Sequence, residues 1–305
     1  MTPLSLSEDN PFQPLIMGVD NNSNMLQVTY ESHRKSRNSQ QTAKILSEDF
    51  PGWSLDKILM RLDGPKKEDG FLDPRNCLCI WARPSSQVRN LVAFIQNELK
   101  SIAPSLWLMP SDCLHMTVLE VAHSLTEQQI EDLVQTLRSS KEVTLSDIAA
   151  YPRSHPARLI KPMVSFDSAA LALTFVPAVS DAKIASAGED YTYHHLRRDI
   201  FEMVRRANVS VVPRYSVPSA HFTIARFISQ DEFTVEGADG VERVDHQRIK
   251  ALIEKIEEIN TKLENEYWAR EGQIKDGGEW VVGQEDLVIR RGRLWYGGGE
   301  DVPLQ

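Results

Sequence analysis

At 305 residues the chain is long enough for one large domain or two lobes around a substantial core. Its 34 basic residues are outnumbered by 43 acidic ones, a net charge of −9, which excludes a sequence-blind nucleic-acid coat. Any anionic substrate must be drawn in by a local pocket against the overall field, which favours a small ligand or a strand end over a long polyanion. Cys77 and Cys79 stand two apart on one apolar run and Cys113 is left over, so neither a disulfide framework nor zinc spacing is expected. Glu8 and Asp9 stand where a secretory signal carries positive charge, and no apolar run approaches about 18 residues. The expected setting is a soluble, reducing compartment, cytoplasmic or nuclear, with no membrane partner.

From Val19 to Glu48 the chain is rich in Asn, Ser, Gln and Thr with little apolar periodicity, so residues 1–48 are expected to form a flexible polar tail before a two-lobed domain over 49–305. Trp53, Leu55, Ile58, Leu59 and Leu62 recur at helical spacing and predict a short helix ending at the turn Asp63-Gly64-Pro65. Cys77 to Ala82 reads as a strand, and Pro84 with two serines opens a helix that turns Val88, Leu91, Val92, Ile95 and Leu99 inward. A second strand region spans Leu106 to Val121, and Thr126 with Gln129 makes a capping box for the next helix. A similar cycle follows, with strands at Leu159 to Phe166 and Leu171 to Val176, a helix from about Tyr191 to Ala207 and a strand near Ser219 to Ile228. A long charged helix, His246 to Trp268, precedes closing strands at Trp280 to Val282 and Leu287 to Tyr296. The order predicts an α+β fold of two related lobes, duplicated strand-helix units whose two antiparallel sheets face a central cleft.

One tetrapeptide pattern occurs twice. His115-Met116-Thr117-Val118 and His221-Phe222-Thr223-Ile224 share His, apolar, Thr, β-branched apolar. Eight His and 12 Thr would place only about 0.3 His-x-Thr triplets by chance, before the apolar flanks are required. On a strand, residues i and i+2 share a face, so each His projects with its Thr while Met116, Val118, Phe222 and Ile224 point the other way. Two such strands side by side would gather two imidazoles and two hydroxyls around one concave site. A neutral imidazole can take a proton from water or a ribose hydroxyl, and a protonated one can give a proton to the departing oxygen. The threonine hydroxyls can donate to non-bridging phosphate oxygens as charge builds.

Over about residues 75 to 300 these paired motifs resemble the 2H phosphoesterase superfamily, whose signature is two His-x-Thr/Ser motifs on pseudo-symmetric lobes. The closing segment 286–298, Asp286 through Gly298, resembles the last strands of fungal members of the RNA ligase/cyclic nucleotide phosphodiesterase group. The resemblance implies metal-independent cleavage of a 2',3'-cyclic phosphate or a related nucleotide or RNA-end phosphodiester. It assigns catalysis to His115 and His221 and phosphate binding to Thr117 and Thr223. Some members carry an Arg three residues after the motif Thr, matched here by Arg226 but not by Glu120 in the first copy. The alternatives are a 3'-5' exonuclease trimming RNA ends, or a non-catalytic nucleotide-binding module of the same fold.

Strict alternation places Arg226 opposite Thr223, so it reaches a phosphate only if the strand twists or bulges. Trp295 and Tyr296 should point to opposite faces of the last strand, leaving Tyr296 to stack on a base or to pack at the rim. Arg290, Arg291 and Arg293, with Arg214 in a loop, could attract phosphate or form a solvated face. Adjacent His194 and His195 lie about 100° apart on a helix and are expected to be surface or packing residues; His123 and His155 fall in expected loops without paired ligands. No cofactor, metal or obligate protein partner is expected, and the partner is the substrate itself, a nucleotide or RNA terminus.

Overall fold

The computed structural model describes residues 7–178, 191–211, 216–238, 240–269 and 273–304. Its helices are α1 (Gln13–Gly18), α2 (Ser23–Ile45), α3 (Lys57–Leu62), α4 (Ser86–Lys100), α5 (Glu127–Ser139), α6 (Leu145–Ser154), α7 (Tyr193–Arg206) and α8 (His246–Tyr267). The strands of the first half are β1 (Asn76–Ala82), β2 (Trp107–Leu108), β3 (Met116–Leu125), β4 (Ala157–Phe166) and β5 (Ala170–Ala178). Those of the second half are β6 (Ala220–Arg226), β7 (Thr234–Glu236), β8 (Glu242–Val244), β9 (Glu279–Val282), β10 (Val288–Gly292) and β11 (Glu300–Asp301). Two antiparallel sheets, β11-β10-β1-β3 and β2-β6-β5-β4-β9, give the α+β architecture expected from the element pattern, with β7 and β8 a separate hairpin.

Each sheet carries one motif strand, β3 in the first and β6 in the second, and each is completed by chain from elsewhere. β10 pairs with β1 through Ile80↔Ile289, whereas β9 pairs with β4 through Leu159↔Trp280, so the closing strands divide between the lobes. The expected strand region Leu106 to Val121 divides likewise. Pro110, which lacks an N–H, opens a 3-10 turn at Ser111–Cys113; before it, β2 pairs with β6, and after it β3 pairs with β1. The caps are where the sequence puts them: the Thr126 hydroxyl accepts from Gln129 N at 3.2 Å, and Gln129 Oε1 accepts from Thr126 N at 2.9 Å. α6 opens on a second capping box, Thr144 with Asp147, and was not expected because it is short and holds Pro152 in its last turn.

Over their described part, residues 1–48 are not a flexible tail. α2 buries Leu26, Tyr30, Arg34, Asn38 and Ile45 along one face, with Asn22 capping its first turn at Met25 N, 3.0 Å. The Tyr30 hydroxyl meets His194 Nδ1 at 2.7 Å, Arg34 Nη1 donates to the Lys161 carbonyl at 2.6 Å, and Asn38 Nδ2 donates to the Val164 carbonyl at 2.9 Å. Phe12 is fully buried against His194 and Phe201. The buried stripe is mostly polar because it satisfies backbone carbonyls of β4 and a histidine of α7, so apolar periodicity does not reveal it.

Candidate functional site

β3 and β6 bring both motifs to one cavity of about 130 Å³, lined by His115, Thr117, His221 and Thr223 together with Arg226 and Tyr296. Met116, Val118, Phe222 and Ile224 are buried in the core, and Phe222 also borders the cavity.

Alternation then breaks in both motif strands at the same place. Trp81 pairs with Thr117 and Ile80 with Leu119, so Val118 is an extra residue in β3; Ala172 pairs with Thr223 and Leu171 with Ala225, so Ile224 is an extra residue in β6. Each bulge turns the residue three past the motif threonine onto the threonine's own face. Arg226 therefore joins Thr223 in the cavity, and Glu120 joins Thr117 at the equivalent position of the other lobe.

Side chains of two helices hold the bulges. Arg197 of α7 donates from Nε to the Val118 carbonyl at 3.1 Å and from Nη1 to the Val217 carbonyl at 3.0 Å. Gln96 of α4 donates from Nε2 to the Ile224 carbonyl at 2.9 Å and lies equally close to the Met109 carbonyl, while Met109 N also donates to Ile224 O at 2.9 Å. The Arg197 guanidinium lies 4.3 Å over the Phe12 ring, so the N-terminal segment supports this contact.

The two imidazoles are held by their Nδ1 atoms. His115 Nδ1 lies 2.7 Å from the Cys113 carbonyl, which can only accept; Nδ1 therefore carries the proton, and in the neutral ring Nε2 keeps its lone pair. The ring stacks on Trp81 at 3.6 Å and 15°. His221 Nδ1 meets the Ser219 hydroxyl at 2.9 Å, a partner able to donate or accept. Burial pushes both imidazoles down to about 4; Arg83 and Arg290 add to the effect at His115, and Arg197 at His221.

Arg226 is anchored by Asp56, whose Oδ2 accepts from Nη1 at 3.3 Å and also from the Tyr296 hydroxyl. Asp56 Oδ1 caps α3 at Leu59 N, 2.9 Å, so one carboxylate ties the N-terminal segment, the second motif strand and the C-terminal turn together. Tyr296 is not in a strand. β10 ends at Gly292, and Trp295–Gly297 form a turn in which Tyr296 has φ 65°, so Trp295 and Tyr296 both line the cavity rather than opposite faces. For an aromatic residue this left-handed conformation costs on the order of 1 kcal/mol, held here by the bond to Asp56.

Sequence reasoning missed Trp81, Arg197, Ser219 and Asp56. Ser219, two residues before His221, had a local signal in its spacing; Arg197, buried on α7, had none. His194 and His195 are packing residues: His194 Nε2 meets the Phe12 carbonyl at 2.9 Å and His195 Nε2 meets Asn21 at 2.7 Å. His123 sits on β3 beside Trp295, and His155 stacks on Tyr151 at 4.0 Å. Arg290, Arg291 and Arg293 bond Gly299, Glu300 and Asp73 around the C-terminal turn and do not line the cavity, and Arg214 lies outside the described residues. Among the described residues no group of three His, Cys, Asp or Glu is placed to hold a metal ion, and no helix is long and apolar enough to cross a membrane.

No family model and no curated protein matches the chain. Among solved structures it is similar to a conserved protein of unknown function from Agrobacterium tumefaciens, at 12% identity and TM-score 0.42 over 82% of this chain and 99% of that one. It is also similar to Usb1 of Kluyveromyces marxianus, at 13% identity and TM-score 0.34 over 76% of this chain and 97% of that one.

Proposed function

We propose that the protein is a phosphodiesterase that hydrolyses a 2',3'-cyclic phosphate or a related nucleotide or RNA-end phosphodiester by two-histidine acid/base catalysis without a metal. The observation that carries this reading is that His115 and His221, each paired with a threonine and contributed by different sheets, line one cavity. A neutral imidazole removes a proton from the attacking water, the new P–O bond forms, and the bond to the ribose oxygen breaks as the other imidazole protonates that oxygen. Thr117 and Thr223 donate hydrogen bonds to the non-bridging oxygens, and Arg226 supplies the countercharge. The Cys113 carbonyl keeps neutral His115 ready to accept a proton at Nε2. A local cation, two threonines and a small cavity also fit the requirement, set by a net charge of −9, that attraction for phosphate be local.

Incubation with a panel of 2',3'-cyclic nucleotides and short oligonucleotides in excess EDTA, followed by mass spectrometry, tests the reading. Gain of one water by a cyclic phosphate, undiminished by chelator, is expected. No turnover of any panel member, or turnover restored only by added divalent metal, would overturn it.

A further inference from the structure

In each motif the residue two before the histidine supplies the oxygen that meets Nδ1, but the two oxygens differ in kind. Before His115 it is the Cys113 main-chain carbonyl at 2.7 Å, which only accepts; before His221 it is the Ser219 hydroxyl at 2.9 Å, which can accept or donate. The serine is itself held. Ser219 N donates to the Val217 carbonyl at 2.8 Å, closing a three-residue turn around Pro218, whose ring fixes φ. The same Val217 carbonyl accepts from Arg197 Nη1 at 3.0 Å, while Arg197 Nε donates to the Val118 carbonyl, next to Thr117, at 3.1 Å. Arg197, 3% exposed and lying over the Phe12 ring, thus ties the turn that carries Ser219 to the first motif strand. Arg197, Val217, Ser219 and His221 all border the cavity.

We propose that Ser219 is a positioning residue that keeps neutral His221 in the tautomer with its proton on Nδ1 and a bare Nε2 for the substrate, and that Arg197 holds Ser219 in place through the Val217 carbonyl. This rests on the phosphodiesterase reading and deepens it. An imidazole takes a proton at Nε2 only if that nitrogen has kept its lone pair, and the partner at Nδ1 decides whether it has. The guanidinium groups of Arg197 and Arg226 both border the cavity, and positive charge there favours a lone pair over an N–H directed into it. The hydroxyl therefore accepts from Nδ1–H, and the second motif obtains from a side chain what the first obtains from its main chain. When Nε2 gains or loses a proton, the Nδ1–H···Oγ bond persists, so the ring has no need to turn during the reaction.

Nitrogen NMR of the protein with isotope-labelled histidines, at about pH 7 where the ring is neutral, shows which ring nitrogen carries the proton. The His221 signals are assigned by their loss in His221→Gln. His221 should carry its proton on Nδ1 in the unaltered protein and in Ser219→Thr, which keeps the hydroxyl, and should populate the Nε2–H form in Ser219→Ala. A proton on Nε2 in the unaltered protein, or an unchanged tautomer in a folded Ser219→Ala protein, would overturn the proposal. With a 2',3'-cyclic nucleotide as substrate, Ser219→Ala should lower kcat about tenfold with KM within about twofold, and Ser219→Thr should recover most of the loss. Arg197→Lys, whose single ammonium cannot reach both carbonyls, should also lower kcat, and in the Ser219→Ala background that effect should shrink to within about twofold. Two losses that multiply would overturn the link through Val217. The NMR result does not depend on turnover. With no turnover of any nucleotide, a tautomer that changes in Ser219→Ala but not in Ser219→Thr would sustain the positioning role while the hydrolytic reading fails; an unchanged tautomer with turnover present would overturn the positioning role alone.

Discussion

Gln96 of α4 and Arg197 of α7 each donate a hydrogen bond to the bulge carbonyl of a motif strand, Gln96 to Ile224 in β6 at 2.9 Å and Arg197 to Val118 in β3 at 3.1 Å. The bulges bring Glu120 and Arg226 into the cavity, so these two contacts couple the packing of α4 and α7 on the motif strands to the composition of the site.

Gln96→Ala should lower stability by about 1 kcal/mol, because Met109 N still satisfies the Ile224 carbonyl. Gln96→Glu sets a carboxylate against two carbonyl oxygens and should cost about 2 to 3 kcal/mol. Denaturant titration gives both figures, and kinetics on the same samples should show a raised KM as Arg226 loses its fixed position. Wild-type stability in Gln96→Glu would refute the clasp.

His115→Ala and His221→Ala should each reduce turnover by about 10² to 10⁴ with the fold retained, and the double variant should lose less than the product of the two. Thr117→Val and Thr223→Val should cost about 1.5 to 3 kcal/mol of transition-state stabilisation, as expected for a hydrogen bond to a charged group. Single-turnover kinetics with circular dichroism as a fold control decides this. A threonine variant slower than the corresponding histidine variant would reverse the proposed roles.

The pH dependence follows from imidazoles pushed down to about 4. The productive form needs one neutral and one protonated ring, and kcat/KM reports the free protein, so kcat/KM should fall as pH rises above about 4. A bound phosphodiester anion favours the imidazolium and raises its pKa, which places the descending limb of kcat at higher pH than that of kcat/KM. Steady-state profiles from about pH 4 to 9 measure both limbs. Coincident limbs, or a kcat/KM that climbs throughout, would exclude the paired mechanism.

Asp56→Ala removes the α3 cap, worth about 1 kcal/mol, and releases both Arg226 and Tyr296. Thermal melts should show the lost stability and kinetics a raised KM. Tyr296→Phe keeps the ring and should have the smaller effect on KM. If Asp56→Ala left KM unchanged, the carboxylate would be a helix cap alone.

Deletion of residues 1–48 should destabilise the protein by more than about 5 kcal/mol, because Phe12, Leu26, Tyr30 and Ile45 are buried and their partners on α7 and β4 would be exposed. Yield and cooperative unfolding of the truncated chain measure this. A truncated protein melting like the full chain would restore the polar-tail reading.

Local order was legible in the sequence. Alternation in His115 to Val118 and His221 to Ile224 placed each imidazole with its threonine, and stripes such as Val88, Leu91, Val92, Ile95 and Leu99 with a capping residue located the helices, since strand period, helix period and caps depend on neighbours in the chain. Tertiary structure alone decided that Arg226 and Glu120 enter the cavity, that Trp295 and Tyr296 share one face, and that Arg34 and Asn38 are buried rather than solvated. Each of these depends on a distant partner: Gln96 and Arg197 for the bulges, Asp56 for the left-handed tyrosine, the carbonyls of β4 for the polar stripe of α2. A bulge, a positive φ or a buried polar side chain is unfavourable by itself and persists only where the assembled fold supplies its hydrogen-bond partner, which no local pattern of residues announces.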